Sequence, residues 1–200
     1  MRSWIMHPLV FYPFTVLLAV LVIGFSLRPQ AWPRPPAPVS GQQAGPALVL
    51  GAAAFDAPAP DPRQNLTVVR DFWGKSRTLR IAVLPSQGAV GPGDDGVRLL
   101  LTPEAVRSVA GRIVRVDVAY NPLPVNGASA LAVSLQGGGP KVWTITQTPP
   151  QQGVAQFTMN APADLSAIGL RTISTDNSEA FGLEITRITL TPLPNGATAN

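Results

Sequence analysis

The sequence predicts an all-β, antiparallel domain carried behind one membrane-spanning helix and a proline-rich linker. Three observations predict it. Pro8 to Leu27 is an uncharged apolar run; residues 29–46 hold six prolines; and from about residue 64 onward short runs alternate apolar and polar residues between Gly, Pro, Asn and Asp breaks.

The apolar run comes first. Twenty helical residues rise about 30 Å, the thickness of a bilayer's hydrocarbon core. Thr15 and Ser26 are its most polar side chains, and Trp4 and Trp32 bracket it where amphipathic rings favour the headgroup layer. A cleaved signal peptide is the alternative. Such peptides carry cores of roughly 7–15 residues and a small-x-small cleavage site. This core is longer, and its one candidate site, Gly24-Phe25-Ser26, is followed by Arg28 and Pro29. An uncleaved signal-anchor is therefore expected, with the lipid bilayer as partner through Pro8–Leu27. Pro13 lies within the span, where lipid tolerates it as a kink. Arg2 and the α-amino group stand against Arg28 and Arg34 across the span. A short tail before a first span favours the N-terminus inside. The expectation is a single-pass protein of the inner (cytoplasmic) membrane, with its C-terminal domain in the periplasm or outside. The Ala-, Pro- and Gly-rich composition with two lysines suggests a bacterial chain.

The expected organisation is a tail and anchor over 1–28, a linker over 29–46, a sandwich over 47–195 and a flexible tail over 196–200. Proline pins φ and removes donors, so the linker reads as an extended spacer. At about 3.1 Å per residue it could reach roughly 50 Å. The apolar patch 47–55, ALVLGAAAF, is too short to span a membrane; it is expected to add an edge strand or pack under the domain.

The strands follow in order. Leu66–Arg70 and Thr78–Leu84 come first, then Val97–Leu101. Arg112–Tyr120 has Val114, Val116 and Val118 on one face and Arg115 and Asp117 on the other. Leu131, Val133 and Leu135 alternate with Ala132 and Ser134. Val142–Gln147, Gly153–Met159, Ala167–Ser174 and Gly182–Thr191 complete the set. Period-2 runs at this spacing argue an antiparallel sandwich or barrel. Gly91-Pro92-Gly93, Asn121-Pro122, Gly137–Pro140 and Pro149-Pro150 punctuate them. One short helix is expected at Pro103–Ala110, with Thr102 as N-cap and Gly111 closing it. The last strand changes phase between Leu183/Ile185 and Ile188/Leu190. A β-bulge near Thr186-Arg187 would keep all four on the core side.

Three late segments, Gly153–Met159, Ala167–Ile173 and Gly182–Leu190, resemble the closing strands of the galactose-binding-like and carbohydrate-binding-module jelly-roll sandwiches. The resemblance extends from about Asn65 to Pro192. It implies a jelly-roll-like β-sandwich and a binding or scaffolding role more often than catalysis.

Composition excludes several chemistries. From residue 41 onward, 12 Lys and Arg face 11 Asp and Glu, so the domain has no basic stripe for nucleic acid. The chain has no cysteine, and its single histidine, His7, precedes the span. A thiolate nucleophile, a Ser-His-Asp triad and a His- or Cys-ligated metal are excluded from the domain. Asp94-Asp95-Gly96 reads as a turn, with calcium as the alternative. Glu104, Asp117, Glu179 and Glu184 could supply carboxylate pairs only by chance. No enzyme, cofactor or metal is expected. Trp73, in the turn-like Phe72-Trp73-Gly74-Lys75, is the candidate for stacking on a sugar, with Lys75 beside it; Trp143 is a weaker candidate whose strand position suits packing. The expected function is a membrane-anchored, non-catalytic interaction or scaffold module outside the cytoplasm. The alternative is a carbohydrate-binding module or accessory subunit holding envelope or exported polysaccharide near the membrane.

Overall fold

The computed structural model describes residues 7–27, 32–85, 93–174 and 181–194. Expectations at Arg2, Trp4, Arg28, Gly91-Pro92, Glu179 and the tail 196–200 lie outside them. The chain divides into two units, 1–32 and 33–200.

The first unit is one helix, α1 (Pro8–Leu27). Its mean hydropathy of 2.3 makes it long and apolar enough to cross a membrane. Pro13 sits inside it, and Thr15 satisfies its hydroxyl by donating to Phe11 O at 2.9 Å.

The second unit is a jelly-roll-like sandwich of two antiparallel sheets. The strands are β1 (Gln42–Ala44), β2 (Ala47–Leu50), β3 (Gln64–Arg70), β4 (Ser76–Val83), β5 (Val97–Leu100), β6 (Ile113–Pro122), β7 (Ala130–Gln136), β8 (Thr144–Gln147), β9 (Gly153–Asn160), β10 (Ala167–Ile173) and β11 (Phe181–Pro192). The larger sheet is built on β11. One flank of β11 pairs with β6, which carries β9 beyond it. The other flank takes two partners in turn: β4 along 181–185, with β3 outside it, and β2 along 188–190, with β1 outside it. The smaller sheet runs β5-β10-β7-β8.

β11 can serve two neighbours because its register against β6 shifts between Ile185 and Arg187. The extra residue, Thr186, rotates the strand once. Leu183, Ile185, Ile188 and Leu190 then all point inward and are fully buried, as the phase break predicts. They meet Leu79, Ile81, Val114, Val116 and Val118 from their own sheet and Leu131, Val133, Ile168 and Leu170 from the other. α2 (Pro103–Val106) lies where a short helix is expected. Its N-cap Thr102 accepts from Ala105 N at 3.4 Å.

Two features differ from the sequence expectation. Part of the stretch read as spacer joins the sandwich: Ala37 N donates to Ala57 O, Val39 bridges Leu101, and β1 pairs with β2. A 50 Å reach over 29–46 is therefore not available. β2 is also not an edge, since β1 covers its free side.

Second, β7 and β10 are buried along almost their whole length, although their sequences alternate. Asp94, Asp95, Gly96 and Trp143 lie against the outer face of the smaller sheet around Gly169 and Arg171. The outward residues Ala132, Ser134, Gly169 and Arg171 are all buried.

Candidate ligand-binding site

The hairpin between β3 and β4 holds the first candidate residues. Asp71 organises the turn. Its Oδ1 accepts from Trp73 N at 3.0 Å and Lys75 N at 2.9 Å. Its backbone N donates to Lys75 O, and its carbonyl accepts from Gly74 N. Gly74 has φ of 79°, a left-handed conformation that favours glycine. The turn therefore presents Phe72 and Trp73 outward, 61% and 78% exposed. Their rings stand edge to face, 5.2 Å apart at 85°.

The base of the turn is tied down by charge. Arg70, whose side chain is 3% exposed, pairs with the Asp56 carboxylate, donates to Asp56 O at 2.6 Å and to Gly74 O at 3.2 Å. Arg34 reaches the same carboxylate and the same Gly74 carbonyl. Ser76 Oγ donates to Ala52 O at 2.5 Å. Partial burial pushes the Asp56 carboxyl up, but hydrogen bonds and charge from Arg70 and Arg34 outweigh it and hold it below the ordinary value. Asp71 is also held low, mainly by the Lys75 N–H and further by Trp73 N and Arg77.

Arg34, Asp56, Trp73, Lys75 and Arg77 line a depression of 440 Å³ with Ala52, Ala53, Gly74 and Ser76. The structure thus brings Trp73 and Lys75 to one site. It adds Arg34, Asp56, Arg70 and Arg77, which sequence reasoning did not select. Asp56 and Arg34 lie 22 residues apart, and no local pattern joins them.

Trp143 does not join this site. Its ring covers the smaller sheet: a Cβ on Gly96 would lie 2.6 Å from its Cη2, and one on Gly169 3.0 Å. Its Nε1 is buried without a hydrogen-bond partner among the described residues. The strap over this face is held by ions. Asp94 pairs with Arg171 at 2.5 Å and Arg63 at 2.7 Å, and Asp95 pairs with Lys141 and receives Gln136 Nε2 on its carbonyl at 2.7 Å. The Lys141 hydrogen bond, with the Arg98 and Lys141 charges, keeps the Asp95 carboxyl low against desolvation and Asp94. The carboxylate oxygens of Asp94 and Asp95 are thus all engaged by cations. Among the described residues no three His, Cys, Asp or Glu side chains cluster as a metal site.

These sheets and their order define an antiparallel jelly-roll-like sandwich. The chain is similar, at TM-scores below 0.5, to solved structures of carbohydrate-binding modules (CBMs). The CBM22-1–CBM22-2 tandem of Paenibacillus barcinonensis Xyn10C is 18% identical at a TM-score of 0.46, over 79% of this chain and 49% of that one. The C-terminal CBM6 of LamC from Zobellia galactanivorans is 14% identical at 0.41, over 72% and 98%. BiXyn10A CBM1 is 8% identical at 0.45, over 72% and 96%. No family model and no curated protein matches the chain.

Proposed function

We propose that this chain is a non-catalytic carbohydrate-binding module, or the accessory subunit of an envelope assembly, held at the cytoplasmic membrane by α1 with its sandwich outside. The observation that supports it best is Trp73: a ring 78% exposed on a turn fixed by four hydrogen bonds to Asp71. Water gains little from so large an apolar ring, and a pre-positioned ring loses little entropy when a ligand covers it. A pyranose can lie flat on the indole while Lys75 meets its substituents from the same depression. Trp143, half-buried against the outer face of the other sheet, serves packing in this reading. Glycan-array binding by the wild type and Trp73→Ala, with thermal midpoints confirming that both fold, tests it. Affinity should fall about tenfold with the ring removed, about 1.4 kcal/mol. A folded wild type that binds no glycan would overturn the reading.

A scaffold role is the second reading. Val142 just before β8, Ile145 on β8 and Val154 on β9 are each more than half exposed, apolar side chains that a protein partner would cover. Crosslinking in membranes separates it: a specific protein adduct through Val154, with no glycan bound, favours the scaffold.

A further inference from the structure

We infer that the Trp73 site selects an acidic glycan, one bearing carboxylates along its chain, over a neutral glycan of the same backbone. The inference rests on the carbohydrate reading above and concerns only which glycan the site takes.

The domain as a whole is near neutral, but the site is not. Four cations surround the turn: Arg34, Arg70, Lys75 and Arg77. Two acids oppose them, Asp56 and Asp71. Asp56 is shared by Arg34 and Arg70. Asp71 spends one oxygen on the backbone of its own turn and gives the other to Arg77 at 3.0 Å. Both carboxyls are held below their ordinary values, so both stay ionised through neutral pH and the site keeps two positive charges in excess.

Lys75 concentrates that excess. Among the described residues its ammonium has no ion pair, and its side chain is exposed. It lines the same depression as Trp73, two residues along the turn. Its backbone is fixed by Asp71 while its four-carbon stem is free, so the ammonium can follow a carboxylate on a stacked ring. No unpaired acid in the depression would repel such a ligand. A neutral glycan would stack on the ring and meet Lys75 without compensating its charge.

The test uses the full chain in detergent micelles or nanodiscs and a matched pair of polymers. Polygalacturonate carries the carboxylates, and its fully methyl-esterified form keeps the rings and removes the charge. Affinity electrophoresis or calorimetry at low salt should show the acid form bound about fivefold more tightly, a size set by exposed ion pairs. Lys75→Gln should erase the difference between the two polymers. Arg107→Gln, which removes one charge at the C-cap of α2 outside the site, should preserve it. Raising salt well above physiological strength should shrink the advantage of the acid form. Equal affinity for the two polymers, or an advantage that survives Lys75→Gln, overturns the inference and leaves the carbohydrate reading standing. So does binding confined to neutral glycans in a wider panel. Absence of binding to every glycan overturns the carbohydrate reading itself.

Discussion

Arg171 and Asp94 meet at 2.5 Å on the outer face of the smaller sheet, with the arginine side chain 1% exposed and the aspartate 14%. Arg171 stands on β10, where its inward neighbours Leu170 and Thr172 are also buried. A charge so enclosed is tolerable only while its partner is in place. The pair therefore fastens the strap Gly93–Gly96 to the sheet beneath it.

Asp94→Asn should lower stability by about 3 kcal/mol, because it leaves the Arg171 charge buried without a counter-ion. Arg63→Gln removes the second, half-exposed partner of Asp94 and should cost under about 1 kcal/mol. Denaturant titration of the two variants checks the contrast. Equal midpoints would show that Arg171 does not depend on Asp94.

Gly96→Ala tests the strap from its other end. Gly96 has φ of 67°, and a Cβ there would lie 2.6 Å from the Trp143 ring and 2.9 Å from Leu170 O. The added methyl meets both backbone strain and a packed ring. A loss of about 2 kcal/mol is expected, with a shift in tryptophan emission as the Trp143 ring is displaced. An unchanged spectrum and midpoint would place the ring elsewhere.

Ile185→Asp should unfold the domain. Ile185 is fully buried beside the Thr186 bulge, and an unpartnered carboxylate there costs several kcal/mol, against a total stability of about 5–15. Glu184→Gln loses only the 2.6 Å pair with Arg80, whose side chain is 45% exposed, and should cost under about 1 kcal/mol. Thermal midpoints of the two variants measure the difference between the strand's two faces.

Acid should loosen the Trp73 turn through Asp56 and Asp71. Both carboxyls have folded values below the ordinary 3.8. Their contribution is therefore fully present above that value and is lost as pH falls toward and through the lower folded values. The wild type should lose stability steeply below about pH 4. Asp56→Asn should start less stable at neutral pH and lose less over the same acid range. Parallel pH profiles for the two proteins would remove Asp56 from the acid response.

Alternation of Val114, Val116 and Val118, or of Leu79, Ile81 and Val83, is enough to place a strand and its inward face, because one period sets both. The β11 bulge was legible for the same reason: only an inserted residue reconciles Ile185 with Ile188. Trp73 and Lys75 were legible as part of a turn because Gly74 lies between them in a stretch that separates two strand patterns. Arg34, Asp56, Arg70 and Arg77 were not, since an arginine reads as a solvated surface residue until something folds over it. Trp143 likewise carried no local mark of the glycines it covers.

The sequence by itself determined the apolar helix, the all-β class and the inward faces of the strands. Each follows from a repeat a few residues long, acting through burial and backbone geometry. Tertiary structure alone decided that residues 37–44 join the sandwich and that Asp94 meets Arg171 and Asp56 meets Arg34. It also decided that the outer face of β7 and β10 is enclosed. Those are pairings between segments up to 77 residues apart, and a charge finds its partner only after the sheets have brought both to one place.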